Sequence, residues 1–427
     1  MTKADSKIHM RRILSLIITQ ICLLLSSPVW SQIPGFFIKN EERKTVVPFL
    51  NSNNLIIVPL SINGNPPINF LLDTGVRTNI LFSKTLGDQL GLQYSRTLNL
   101  VGADGKTVLS ASVTVNNHID LGNVEGISQT LLVLDEDFFE LESVIGIPVY
   151  GVIGYEFFKF NPMKINYDKG QITFYQPNKM RWRPLGYRKI AISIENSKPY
   201  VTAKVNQLSG PRLNTKLLID TGANHGLLLN PETSDDIKLP PLTLASDLGR
   251  SLGGDLFGWI GRAKQLNLGG LKFYNVITSF PEENDYSYVI KETGRQGSLG
   301  SEVLSRMELI LDYPRERMLF KKSSTFLNPF EYDMSGITPK LLPTEQRRVY
   351  IAGLKENSPA KQAGLEVLDE ITKVNNIPID FWEISDLIKV FRSEVGRKIN
   401  LTILRANPEN ETNPIEMDFS FILRRQI

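Results

Sequence analysis

Apolar and polar positions along this chain fall into short runs, and one arrangement of runs occurs twice. "NLIIVPLSING" followed by "INFLLDTG" predicts two strands joined by an Asn-Gly turn. "YVTAKVNQ" and "TKLLIDTG" repeat the pair with a longer connection. "TVLSASVTVNNHIDLG" alternates in part with period two, the mark of a half-buried strand. The repetition keeps register. Asp73 and Asp220, and then Leu121-Gly122 and Leu268-Gly269, are 147 residues apart. "GVIGYEFF" and "GSLGSEVL" follow at 146, as do "INYDKGQITF" and "LILDYPRERMLF". Four landmarks in register define a duplicated, mainly β unit. "EFFKF" and "SEVLSRM" are short helix candidates just after the glycine landmarks.

The units are set at residues 32–185 and 186–325, and the pattern changes after them. In "VYIAGLKENSPAKQAGLEVLDEITKVNNIPI" a strand leads to Ser358-Pro359, a helix cap and first helical position, and Gly364 suits the helix end. "FWEISDLIKVFRSEV" has helical periodicity and "KINLTILRA" reads as a strand. Residues 326–427 are therefore a linker and an α+β module.

The N-terminus changes the bulk numbers. Lys3, Lys7, Arg11 and Arg12 precede "ILSLIITQICLLL", and "SSPVWSQ" follows. That is the layout of a secretory signal peptide over residues 1–31, with cleavage expected after Ser31. The alternative is an uncleaved anchor, for which the run is short and interrupted. The formal charge of +3 resides wholly in this segment, so the rest is near neutral and carries no basic tract for nucleic acid. The single cysteine, Cys22, also lies there, which leaves no disulfide and no thiol nucleophile beyond it. The expected location is outside the cytoplasm, periplasmic or secreted, with no stable membrane span after cleavage.

Beyond residue 31 only His118 and His225 remain, too few for a multi-histidine metal site. Neither a Gly-x-Ser-x-Gly elbow nor a phosphate or dinucleotide loop is present. No metal or cofactor is expected, and any chemistry rests on carboxylates, hydroxyls and backbone groups. In each Asp-Thr-Gly the glycine permits close backbone approach and a turn of positive φ, and the threonine supplies a hydroxyl beside the carboxylate. Two carboxylates brought together share a proton, so that one acts as base on a water and the other polarises a carbonyl.

With those residues in place, the chain resembles the pepsin-like and retropepsin-like aspartic peptidases over roughly residues 45–325. The resemblance implies catalytic Asp73 and Asp220 in one site within a monomer. Thr74 and Thr221 brace the two turns, with Gly75 and Gly222 beside them. Ile153-Gly154 and Leu299-Gly300 pack behind the turns as the family's hydrophobic-Gly segments. Ser298 stands where that family has an apolar residue, and Val76 where it has Ala. Arg77 is read as outward and solvated, and His225 as a satisfied loop histidine. The resemblance also implies a covering flap. Gly102, Asp104 and Gly105 are its candidates in the first unit, and Phe257 and Trp259 in the second. "LDEDFFELE", Leu134 to Glu142, is read as a solvated acidic loop.

"SPAKQAGL" with Asp369 and Ile371 resembles a PDZ domain of the bacterial protease type, with Leu368 where Gly is usual. By that resemblance Ser335, Gly336 and Ile337 form the loop that receives a peptide's C-terminal carboxylate. The fold expected is thus mainly β: two lobes related by a pseudo-twofold axis, then a PDZ domain. The activity expected is endopeptidase cleavage of protein or peptide substrates by water attack. The alternatives are a catalytically silent peptide-binding protein and a PDZ scaffold. Glycan cleavage fits less well, because glycosidase carboxylates stand farther apart.

Overall fold

The structure is a computed structural model that describes residues 33–427, apart from 102–107, 181, 252–253, 285–286, 343, 345 and 408–412. The N-terminal segment read as a signal peptide lies outside the described residues, as do the flap candidates Gly102, Asp104 and Gly105. Residues 34–427 form one unit.

Each lobe contains a hairpin whose second strand runs directly into the aspartate. In the first, Leu55–Ile62 pairs antiparallel with Ile68–Leu72. Asn63 and Gly64 both take positive φ, as a two-residue turn of the Asn-Gly type requires. In the second, Lys198–Asn206 pairs with Arg212–Ile219. Ile56, Ile57 and Val58 are fully buried in succession, so this strand packs on both faces.

The strand carrying each aspartate is joined in parallel by a short strand from the glycine landmark. Gly151–Ile153 lies beside Ile68–Leu72, and Gly297–Leu299 beside Arg212–Ile219. A third strand, Asn79–Leu81 or Leu227–Leu229, completes each trio antiparallel to the landmark strand. From there the two sheets run on in the same strand order. Glycine at the landmark is required by space. A Cβ on Gly151 would stand 2.3 Å from the Ile80 carbonyl oxygen, and one on Gly297 would stand 1.9 Å from that of Leu228.

A six-stranded sheet joins the lobes. At its centre Met163–Asn166 pairs antiparallel with Met307–Asp312. Met163 faces Leu311 and Ile165 faces Leu309, while Lys164 faces Ile310. The 146-residue offset exchanges these partners, so a local twofold axis passes between Lys164 and Ile310.

The linker is fastened to the second lobe. The Arg306 guanidinium lies 3.6 Å from the Phe330 ring centroid and donates to the Pro329 carbonyl at 3.0 Å. Arg262 donates to the Phe330 carbonyl at 2.8 Å, and Ile427 is buried in the same core. Beyond the linker, five strands run in the order Ile337–Leu341, Val349–Leu354, Glu370–Val374, Lys398–Arg405 and Ile415–Ile422. Ser358 caps the helix Pro359–Gln362 by accepting from the Lys361 N–H. Buried Asp369 is held by both Nε and a terminal nitrogen of Arg405, each at 2.7 Å. Leu368 takes φ +75°, which explains why glycine suits this position.

The acidic stretch is not only a solvated loop. It runs into a short helix, Leu141–Ile145, that packs against the edge strand Ile337–Leu341 and the helix Ile384–Phe391 of the C-terminal module. Gly146 ends this helix with φ +80°, and a Cβ there would lie 3.3 Å from that of Ile384.

Gly297→Ala should destabilise the protein by about 2 kcal/mol or more, because the methyl meets a backbone oxygen that cannot move aside. Urea unfolding checks this; a change within 0.5 kcal/mol, about that of a neutral surface substitution, contradicts it.

Candidate active site

The parallel pairing fixes where each chain turns. The Asp73 N–H donates to the Ile153 carbonyl and the Asp220 N–H to that of Leu299, both at 3.0 Å. Ile153 and Leu299 are fully buried, so each Asp-Thr-Gly turn is suspended from a core strand. The Gly75 N–H then donates to an Asp73 carboxylate oxygen at 2.6 Å, and that of Gly222 to Asp220 at 3.1 Å.

Across the axis the threonines bond reciprocally. The Thr74 N–H donates to Thr221 Oγ1 at 3.1 Å, and the Thr221 N–H to Thr74 Oγ1 at 3.0 Å. Thr74 Oγ1 donates to the Ile219 carbonyl at 2.6 Å, and Thr221 Oγ1 to that of Leu72 at 2.9 Å. Both residues are fully buried. Every hydroxyl proton goes to the opposite lobe, and every hydroxyl oxygen accepts from it.

This clamp brings the carboxyls together. A Cβ on Gly222 would stand 2.2 Å from Asp73 Cγ. One on Gly75 would stand 3.1 Å from an Asp73 oxygen and 3.4 Å from an Asp220 oxygen. The glycines are therefore needed for close approach. Neither takes positive φ, which corrects that part of the sequence reading. Burial, and next the negative charge of Asp220, push the Asp73 carboxyl up to about 8. The Gly75 N–H and Lys198 oppose the shift.

The lobes differ behind the turns. The Gly154 N–H donates to the buried Asn79 side chain at 3.0 Å, whereas that of Gly300 donates to the Gly226 carbonyl at 3.0 Å. A Cβ on Gly154 would meet the Val76 oxygen at 2.3 Å, and one on Gly300 the His225 oxygen at 2.1 Å. Ser298 has a partner that explains its polarity: its Oγ lies 2.9 Å from His225 Nε2. Burial lowers the His225 pKa below the ordinary value, so the ring is neutral at neutral pH despite the nearby Asp220. His225 is thus a loop histidine satisfied by a hydrogen-bond partner. Arg77 is exposed, as expected, yet it also borders the cavity that contains both aspartates.

Asp73, Asp220, Gly75 and Gly222 line a cavity of about 460 Å³. An adjoining cavity of about 350 Å³ contains Asp220, His225 and Ser298. Leu141 lines both. Two cations absent from the sequence reading, Lys198 and Arg295, line the first, and Arg295 also lines the second. A larger hollow of about 790 Å³ lies away from the aspartates, under the linker around Phe273, Phe326 and Phe330.

The hairpin Leu244–Ser251 and Gly254–Leu268 stands over the second cavity, but not through the expected aromatics. Leu248 and Leu256 line the cavity. Phe257 is exposed, and Trp259 lies on a separate shallow pocket with Leu239 and Pro281. Alternate residues of a strand face opposite sides, which puts Leu256 inward and Phe257 outward.

In the C-terminal module, the amides offered for a peptide carboxylate already have acceptors. The Ser335 and Gly336 N–H groups donate to the half-buried carboxylate of Asp333, and the Ile337 N–H donates to Ser335 Oγ at 3.0 Å. Burial raises the Asp333 pKa above its ordinary value, while these hydrogen bonds oppose the rise. A peptide terminus entering this loop has to displace Asp333.

Parts of this chain are similar to known proteins. Residues 58–157 and 201–303 match the family model described as "Aspartyl protease", and residues 350–405 match that of a PDZ domain. The two lobes are thus two aspartyl protease repeats, followed by a C-terminal PDZ domain. A probable CtpA-like serine protease of Staphylococcus saprophyticus subsp. saprophyticus is 28% identical over 122 residues, 28% of this chain and 24% of that protein. The match thus spans about a quarter of that relative's length. Among solved structures, an aspartic proteinase from Irpex lacteus aligns with a TM-score of 0.42 at 12% identity, covering 67% of this chain and 99% of that one.

Thr221→Val should cost about 3 kcal/mol, since it leaves the buried Thr74 N–H and Leu72 carbonyl without partners, whereas Thr221→Ser should cost much less. Chemical unfolding separates the two; equal stabilities contradict the clamp. The aspartate gives a second expectation. With its pKa raised from 3.8 to about 8, Asp73 holds a proton in the folded state that the unfolded chain releases. Stability should therefore decline as pH rises between these values. In Asp73→Asn the decline should be smaller, as measured by unfolding midpoints across that range.

Proposed function

We propose that this chain is an exported endopeptidase of the aspartic type, in which Asp73 and Asp220 share one proton and activate a water. The observation that carries the reading is the reciprocal threonine clamp, which holds two carboxyls against one another at the floor of a cleft. The raised pKa of Asp73 supports placing the shared proton there, leaving the Asp220 carboxylate as the base.

On this reading the water oxygen attacks the scissile carbonyl carbon as its proton passes to Asp220. Asp73 gives its proton to the carbonyl oxygen, producing a neutral tetrahedral diol. The Asp220 proton then moves to the amide nitrogen, the C–N bond breaks, and a diol proton returns to Asp73. Protons balance over the cycle, and no covalent enzyme intermediate forms. The PDZ domain assists by recruiting substrate or partner peptides, which displace Asp333 from its loop. Its packing against Leu141–Ile145 supports a link to the cleft, because Leu141 lines both cavities.

Asp73→Asn and Asp220→Asn should each remain folded and lose peptide cleavage by at least a thousandfold, a scale consistent with loss of an essential acid or base. Cleavage by the parent should fall as pH rises through about 8, where Asp73 loses its proton. A peptide library read by mass spectrometry, with circular dichroism for the fold, checks both. Undiminished proteolysis in either variant would sink the mechanism.

A further inference from the structure

Duplication supplies an internal reference for every position in the cleft. Lys198 opens the strand after the turn Asn196-Ser197, where it pairs with Glu195. In the first lobe the corresponding turn is Asn53-Asn54, and the residue after it, paired with Ser52, is Leu55. Arg295 stands two residues before the landmark Gly297, and its counterpart two before Gly151 is Val149. Leu55 and Val149 are both buried. At two equivalent positions the first lobe is apolar and the second carries a cation.

Both cations border the cavity that contains Asp73 and Asp220. Each is half-buried, and among the described residues no ion pair involves either side chain. Arg295 Nε is buried without an acceptor. The nearby Glu232 accepts from Asn230 through one oxygen and has its other oxygen unpartnered, yet no ion pair joins it to Arg295. Burial and the Arg295 charge lower the Lys198 pKa, while the two aspartates oppose this. Two like charges are thus held together partly out of water with one guanidinium donor unused, and among the described residues lining this cavity the only carboxyls are the two aspartates.

We propose that Lys198 and Arg295 form an anion-recognising subsite beside the aspartate pair, which binds a carboxylate carried by the substrate peptide. The carboxylate is either an Asp or Glu side chain close to the scissile bond or the peptide's own C-terminus. Both present the planar two-oxygen group that a guanidinium and an ammonium bind together. This rests on reading the cleft as a peptide-binding one, and it adds a substrate class.

The test uses the full chain and non-hydrolysable peptides in which a hydroxyethylene unit replaces the scissile amide. Peptides come in pairs, Glu against Gln at each position in turn, with a further pair differing only as C-terminal acid and amide. Fluorescence anisotropy gives the affinity ratio within each pair. The ratio should favour the acid by roughly tenfold for one pair, as one charge-assisted contact provides. A Glu/Gln ratio identifies a side-chain carboxylate, and an acid/amide ratio a terminal one. Lys198→Met and Arg295→Met should each bring that ratio close to one, and Lys198→Arg should preserve it. A ratio near one for every pair in the parent, or one unchanged in both Met variants, overturns the subsite. So does a change that moves both members of a pair equally, since that is a general effect of charge on the aspartates. Cleavage of the neutral parent peptide, followed in parallel, reports on the aspartate mechanism separately.

Discussion

The arrangement of this molecule depends on four hydrogen bonds that two threonines make across the lobes, two to each other and two to backbone carbonyls. The hydroxyl of each accepts the other's N–H and donates to a backbone carbonyl two residues before it in the opposite lobe. No part of the clamp can be assembled by one lobe alone. It is also fully buried, so a lost partner costs the desolvation of the group left behind. Because the aspartates precede these threonines, the clamp sets their separation as well. The energetic penalty of placing two carboxyls together is met by a rigid buried network rather than by loops.

That constraint explains much of the surrounding sequence. The landmark strands must lie against the aspartate strands closely enough to receive the Asp73 and Asp220 N–H groups, which leaves no room for a side chain at Gly151 or Gly297. Gly154 and Gly300 are equally confined, against the carbonyls of Val76 and His225. The self-complementary register of Met163–Asn166 with Met307–Asp312 continues the same axis into the connecting sheet. Turn, landmark and sheet therefore preserve nearly constant offsets, because each touches its counterpart or a close neighbour of it. Positions away from the axis are under no such requirement and differ freely.

This divides what the sequence makes legible from what it hides. Asp73, Asp220, both threonines and the glycine landmarks are readable because they recur in pairs at fixed spacing. The helix candidates "EFFKF" and "SEVLSRM", which overlap the observed helices Tyr155–Phe158 and Ser301–Leu304, follow the same logic. Lys198 and Arg295 are not readable, since they occur only in the second lobe and meet only on folding. The inward sides of Leu248 and Leu256 depend on strand phase, which aromatic content does not report. Asp333 looks like any acidic linker residue until its carboxylate is found on the Ser335 and Gly336 amides. The acidity of Leu134 to Glu142 likewise conceals Phe139 and Leu141, whose side chains border the cleft.

Divergence around the axis bears on the aspartates themselves. Two carboxylates in a symmetric setting would have no basis for holding a shared proton on one side rather than the other. Here the surroundings are unequal. Asn79 supports the landmark glycine of the first lobe through a side chain, whereas Gly226 supports that of the second through backbone. Ser298 ties His225 close to Asp220, while Val152 occupies the corresponding place near Asp73. The His225 ring is neutral, so it adds a dipole rather than a charge on the Asp220 side. Lys198 and Arg295 add half-buried positive charge from the second lobe, whereas the first lobe's Arg77 on the same cavity is exposed. Duplication gave the chain two equal carboxyls, and single-lobe substitutions made their environments different. A pair whose members have different neighbours can divide the roles of acid and base without any change in the clamp that unites them.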